Sequence, residues 1–452
     1  MLTPQRRTEI FETMPVRQAV LRQIMPAIAS QMIGLIYNWA DTYFVGLLNA
    51  PHETAAVTVA YGPFLMLTAI SNLFGVGGAS AIARALGQKD TERAKQISSM
   101  SFYLGVVFSL LFALLFFLIE QPVLALCGGK GETLAIAVAY ARWTIVWGGP
   151  PAIMSMLLAN LVRAEGSASA ASWGVSLGGI LNIFLDPLFI LPRFLGMGAA
   201  GAGLATALSN LASVAFFLLY LWRRRSDSVL SLQPRELRYT RRHLRNVLSV
   251  GFPSALQYML TVVAIAAQSH FVSQYATEAV AALGIIKKLD NLPIYFALGT
   301  ASGLLPLLAY NYASGNQERR ESAFRFGSTI SVGFALLCLV VYEIFAPALA
   351  GFFIKDAATV HYAAAFLRRM VLAMPLMAAS YPLIIQFQAM GKVRQSLICS
   401  LLRKGVLDIP FLLLMDHLLP LYGCMWVQPI VDTIAVTVAV WMNRRLQKEG
   451  NR

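Results

Sequence analysis

Charge is what this sequence has least of. Only 13% of its 452 residues are Asp, Glu, Lys or Arg, against about 25% in an ordinary soluble domain. A chain so poor in charge does not form a water-soluble globule around one large core. Cysteine is scarce as well. Cys127, Cys338, Cys399 and Cys424 are scattered among apolar neighbours without metal or redox spacing, and they read as packing residues. There is no GxxxxGK[ST] loop, so no ATP motor is expected in this chain, and no HExxH. The amino-terminal stretch has no short apolar core followed by a small-residue cleavage site, and no signal peptide is expected. Acids are the minority charge, giving a net +14. The basic residues lie in short runs between apolar segments and are not interleaved with aromatics, so no nucleic-acid groove is expected.

What the chain does have is apolar length. Hydrophobic residues make up 57% of it, and twelve runs are long enough to cross a bilayer, which takes about 20 residues each. They fall near 23–47, 54–82, 97–119, 133–160, 167–191, 196–222, 247–273, 278–310, 326–347, 358–387, 394–415 and 420–443. Barrel strands would read as short alternating segments instead, so the expected class is an all-α, multi-pass membrane protein. Lys and Arg concentrate on the side shared by the termini: Arg6, Arg7, Arg17, Arg22, Arg84, Lys89, Arg93, Lys95, the arginine-rich 223–246 run, Arg319, Arg320, Arg325, Lys392, Arg394, Arg444, Arg445, Lys448 and Arg452. The opposite connections hold Lys130, Arg193 and Lys355. By the positive-inside rule both termini are expected in the cytoplasm. The glycine-rich GVGGAS (75–80) and GMGAAGAG (196–203) lie inside apolar runs and suit close helix packing, not phosphate binding.

The runs repeat. Pro26 answers Pro253, Gly87 answers Gly315, Gly166 answers Gly391 and Pro187 answers Pro410, at the nearly constant separations 227, 228, 225 and 223. This divides the chain into an N-lobe (1–222), a basic cytoplasmic linker (223–246) and a C-lobe (247–452). Six helices per lobe give both copies one orientation. Such parallel repeats recur in alternating-access transporters, with the substrate site between the halves.

Polar residues inside the runs are distributed unequally. The first run, QIMPAIASQMIGLIYNWADTYFVG, carries Pro26 and the carboxylate of Asp41. The fifth carries Asn182 and Asp186, four apart and so on one helix face. The sixth carries Thr206. At a rise of 1.5 Å per residue, Asp41 and Asp186 lie ~9 Å, and Asn182 and Thr206 ~15 Å, inside the outer helix ends. The four can form one cluster, and two carboxylates close together in low dielectric do not both stay ionised without a cation or a shared proton. The seventh run, the counterpart of the first, has Gln257 and Gln268 but no carboxylate. Local neutralising pairs are expected there: Lys287 and Lys288 with Asp290, and Arg403 and Lys404 with Asp408. Asp432 and the Arg368–Arg369 pair have no evident partner in the sequence. No nucleophile–base pair at one membrane face supports an enzyme.

These pieces together resemble the multidrug and toxic compound extrusion (MATE) family, within its MepA/DinF-like group. The likeness rests on P(x14)D(x3)VG in the first run, NLFGVGGASAIARALGQKD around the second, LVRAEG after the fourth, NIFLDP in the fifth and RKGVLDIP in the eleventh. It implies twelve helices in two pseudo-symmetric lobes around a V-shaped cavity. It implies export of lipophilic, often cationic drugs or toxic metabolites in exchange for H+ or Na+, with no other cofactor, from the plasma (inner) membrane of a prokaryote. In related members a first-helix Asp, an Asn and an Asp on the fifth helix and a Thr on the sixth form the cation site; here these are Asp41, Asn182, Asp186 and Thr206. Pro26 matches the proline at which the first helix is proposed to bend. Another branch carries acids in the seventh and tenth helices, which this sequence lacks. A monomer in contact with membrane lipid is expected. The competing reading within the superfamily is a flippase for lipid-linked precursors.

Overall fold

The computed structural model describes residues 9–48, 50–354 and 356–450; Arg6, Arg7, Lys355 and Arg452, counted above for orientation, lie outside them. Every apolar run becomes helix, and there is no strand among the described residues. The first three spans are Val16–Gly46, Pro51–Gly87 and Thr91–Leu126. The fourth joins Gly131–Ala141 to Gly149–Ala164 through a π-helical turn, Arg142–Trp147, with a bend of 44°. Ala168–Ile190 and Ala199–Arg223 form the fifth and sixth. The second half repeats the order with Thr240–Ser273, Thr277–Ala313, Gln317–Phe353 and a tenth span, Ala357–Met370 followed by Met374–Ala389. The twelfth is Gly423–Gly450.

The eleventh run is the exception. Among the described residues ten helices, eleven with the bent pair, are long and apolar enough to cross a membrane. The run 394–415 instead splits into Val393–Arg403 and Asp408–Leu418, each of 11 residues. Neither piece spans alone. Unwound backbone at membrane depth is tolerated where protein buries it or it lines a cavity.

The repeat extends to the defects of the helices. The third span loses helical geometry at Ile119, three residues before Pro122, and the ninth at Phe345, two residues before Pro347. Proline removes one ladder bond and clashes with the preceding turn, which kinks the helix in both copies. Pro150 and Pro375, 225 apart, restart the fourth and tenth spans after their breaks. Asp90 and Asn316, 226 apart, cap the third and ninth spans through the Arg93 and Arg319 amides at 2.9 and 3.0 Å. The turn before each cap uses a left-handed residue: Gly315 at φ 81° in one copy, Lys89 at φ 60° in the other. Lys89, and not Gly87, is therefore the structural counterpart of Gly315.

Packing between the halves follows the same two-fold logic, first span against eighth and second against seventh. Glycine permits the close approach: a Cβ on Gly251 would run into the Leu73 carbonyl, and one on Gly303 into the backbone of Gln23 and Ile24. Small residues at such crossings let backbones touch, which is how membrane helices gain dispersion contact. Hydrogen bonds between the halves cluster at the end bearing the chain termini. Arg84 and Ser80 bind the Gln388 carbonyl, and Arg84 also that of Ala389. Ahead of the first span, Phe11 is fully buried and stacked on Tyr310 at 4.7 Å, while Arg319 binds the Ile10 and Phe11 carbonyls.

The connection after the sixth span does not hang free. Ser98, Ser99 and Tyr103 of the third span bond the backbone of Ser231, Gln233 and Leu232. A 3₁₀ turn, Pro234–Tyr239, then leads straight into the seventh helix. That helix starts at Thr240, seven residues before the apolar run does, so Arg241, Arg242 and Arg245 ride on its first turns.

Candidate functional site: a polar cluster in each half

In the first half the fifth span lies tightly between the first and sixth. A Cβ on Gly178 would strike the Ser213 hydroxyl, and one on Gly179 would press on Ile33 and Tyr37 at 3.0 and 3.2 Å. Over the next two turns this close approach brings Asn182 and then Asp186 inward. Asn182 Nδ2 donates to Asp186 Oδ1 at 3.2 Å and to Thr206 Oγ1 at 3.4 Å. Asp186 is completely buried and feels the charge of Asp41 on the first span. Tyr37 and Tyr140 lie within electrostatic range of both carboxylates. All four residues expected from spacing and depth thus share one neighbourhood.

What the cluster leaves unsatisfied defines its chemistry. Asp41 Oδ1, Asn182 Oδ1 and Asp186 Oδ2 are buried acceptors without a hydrogen-bond partner. A buried acceptor left unmade costs about 1–3 kcal/mol, more when charged. Three such oxygens from two helices, with no basic side chain among the named members, suit a proton or a small cation.

The second half places its charges differently. Arg403, at the end of the first piece of the eleventh span, pairs with Asp432 of the twelfth: Nε lies 3.6 Å from Oδ1. Its guanidinium sits over the Tyr381 ring, 3.8 Å from the centroid. Gln428 donates to Asp432 Oδ2 at 2.9 Å and accepts from Lys404 Nζ at 2.5 Å. The expected pairing of Arg403 and Lys404 with Asp408 does not form; Asp408 instead accepts the Gly405 amide at 2.7 Å, within the break. Asp290 is attracted by Lys404 first, then by Arg403 and Lys287, while Lys287 donates to Ser269 Oγ at 3.4 Å. Local i+4 spacing fails here because the helix unwinds just past Arg403. Further out, Arg368 lies 3.9 Å from Glu343 and Arg369 covers Tyr422; with His361 and Trp426 they line a cavity of about 650 Å³.

A family model described as MatE matches residues 26–188 and again 253–414, once in each half. The chain belongs to the MatE family. A multidrug export protein MepA of Staphylococcus saprophyticus is 30% identical over 430 residues, covering 95% of this chain and 94% of its own. A solved outward-facing conformation of a multidrug resistance MATE family transporter of the MOP superfamily matches over 100% of both chains, with a TM-score of 0.91 at 26% identity. MATE structures in straight and bent conformations match with TM-scores of 0.91 and 0.88, at 25% and 26% identity, again over 100% of both chains. As a MatE protein the chain is a multi-pass membrane transporter.

The residue that sequence reading left aside in this MatE chain is Asp432. Its signal was present: a charged residue inside an apolar run, with Gln428 four positions earlier on the same face. What the run does not contain is the identity of its partner, 29 residues upstream across a helix break.

Proposed function

We propose that this MatE protein is a secondary-active antiporter of the plasma (inner) membrane, with both termini cytoplasmic. It exports lipophilic, often cationic compounds in exchange for H+ or Na+. The observation that carries this reading is the trio of buried, unpartnered oxygens on Asp41, Asn182 and Asp186. The names of the relatives and the solved MATE structures support the substrate class.

Coupling follows from where the cluster sits. Asp41 belongs to the first span, which also packs against the eighth in the other half. A proton or cation arriving between Asp41 and Asp186 removes their mutual repulsion and changes the preferred arrangement of the first span against the fifth. An ion drives transport only if it binds the two conformations with different affinity, and an element shared by the site and the interface between the halves meets that need. Pro26 lies within that span, which runs as one α-helix through it; it is the place where a bend would form. The hydrogen bonds at the terminal end, and the likeness to an outward-facing structure, support a resting state closed to the cytoplasm.

The test is uptake of a fluorescent organic cation into inside-out vesicles, wild type beside Asp41→Asn, under a proton gradient and then a sodium gradient. Accumulation under one gradient, abolished in the variant, is the expected result and names the ion. Accumulation by Asp41→Asn equal to wild type would overturn the assignment of Asp41. The flippase reading draws on the basic cavity at Arg368 and Arg369. Failure of wild type under both gradients, with surface-polysaccharide or cell-wall defects on depletion, would favour it.

A further inference from the structure

The internal repeat sets the polar groups of the two halves side by side. From Pro150 and Pro375 the separation is 225, and at that separation Arg403 and Lys404 fall on Gly178 and Gly179. Gln268 follows Asp41 by 227, and at the 223 set by Pro187 and Pro410, the nearest matched pair, Asp432 falls on Ser209 of the sixth span. The second half therefore has an amide where the first has its ion-facing carboxylate, an acid where the first has a hydroxyl, and two long cationic side chains where the first has two glycines. Gln268 is occupied with the Cys424 carbonyl at 3.3 Å.

The cationic pair fills the interior of the half. Arg403 is 2% exposed and Asp432 is fully buried. Charged and titratable groups meet there from every neighbouring element: Asp290 and Lys287 from the eighth span, Tyr381 from the tenth, Lys404 and Asp408 from the eleventh, Asp432 from the twelfth and Tyr258 from the seventh. A guanidinium is a fixed charge that stacks on rings and does not dissociate from the chain. The helix opens immediately after it, with Gly405 at φ 117°, so the eleventh span need not approach the seventh as closely as the glycine-bearing fifth span approaches the first.

We propose that Arg403 is a built-in cation: it stands in the second half in the place that the exchangeable ion takes in the first, so that one half alone exchanges an ion in each transport cycle. This rests on the antiport reading. The second half is then neutralised in both conformations and acts as the fixed partner against which the first span moves. Lys404 and Gln428 are positioning residues; they orient Asp432 toward the guanidinium.

The test uses the full-length protein in proteoliposomes. Drug accumulation is measured, and the ion-to-drug ratio is read from the gradient that nulls net flux. Arg403→Gln leaves Asp432 buried without its cation and is expected to lower gradient-driven transport at least about tenfold. Arg403→Gln/Asp432→Asn removes both charges and should restore transport to within about threefold, with the wild-type ion-to-drug ratio. A folded double variant that carries drug downhill but no longer responds to the ion gradient would overturn the proposal, since the pair would then belong to the exchanging machinery. So would Arg403→Gln behaving as wild type. If the double variant does not fold, as judged by size exclusion and melting, Arg403→Lys decides. It keeps a tethered cation and should exceed Arg403→Gln at an unchanged ratio; transport no better than Arg403→Gln would sink the idea. Wild type that accumulates no drug under either gradient removes the antiport reading itself, and this proposal with it.

Discussion

Gly178 and Gly179 in the fifth span, and Arg403 and Lys404 in the eleventh, hold the same places in two copies of one six-helix unit. Where the glycines stand, neighbouring helices close to backbone contact, and the next two turns bring Asn182 and Asp186 toward Asp41 and Thr206. Where the arginine and lysine stand, side chains fill the interior, the helix breaks, and the acid is answered from within the chain. One half has carboxylates lacking a cation; the other supplies its own. On the reading proposed here, two copies of one fold divide a task, one responding to an ion and the other serving as its unresponsive frame.

Asp186→Asn should reduce gradient-driven drug accumulation by about a hundredfold, the upper range of site-to-site coupling, whereas Asp408→Asn should reduce it far less; vesicle uptake checks both. The stability effects should run the other way. Asp432→Asn strands Arg403 and should cost about 3–5 kcal/mol, while Asp186→Asn removes one of two mutually repelling carboxylates and should leave the melting temperature in detergent unchanged or raised. Equal losses in the two variants would erase the distinction between the halves. Gly179→Leu should overpack the seam against Ile33 and Tyr37 by about 1–3 kcal/mol, read as a lowered melting temperature together with lost transport.

Smaller effects test the repeat where it turns at the terminal end. Lys89→Gly should stabilise by about 1 kcal/mol, because a left-handed backbone costs an L-residue that much, and Gly315→Lys should reverse the sign. The last contrast is in pH. Asp356 caps the tenth span through the Thr359 amide and hydroxyl, which hold its carboxyl below the usual carboxylate range. Its contribution is present above that range and is lost as pH falls through it, so Asp356→Ala should flatten the acid limb of a melting-against-pH curve. The corresponding place before the fourth span is Lys130, which makes no side-chain cap, and Lys130→Ala should leave that limb as it is.

Much of this was legible in the residues. Twelve apolar runs and their polar interruptions follow from a solvent that admits about 20 apolar residues at a time and no unsatisfied backbone. The four-residue spacing of Asn182 and Asp186 fixes them on one face whatever surrounds them, and a helical rise turns position into depth. Constant separations between prolines and glycines made the duplication visible. The family resemblance carried the drug and ion readings.

Tertiary structure alone decided which charges meet. Nearness along a helix pointed Arg403 to Asp408, but the unwound turn at Gly405 took Asp408 for its own amide and left Arg403 to Asp432 in another span. The same holds for the Phe11 segment docked on Tyr310, for Arg84 on the end of the tenth span, and for the connection fastened to Ser98, Ser99 and Tyr103. Composition and period say which groups must leave lipid and water. Only the packed neighbours, supplied from far along the chain, say which partner a buried group finds, because a polar group taken out of water costs free energy unless geometry supplies it one.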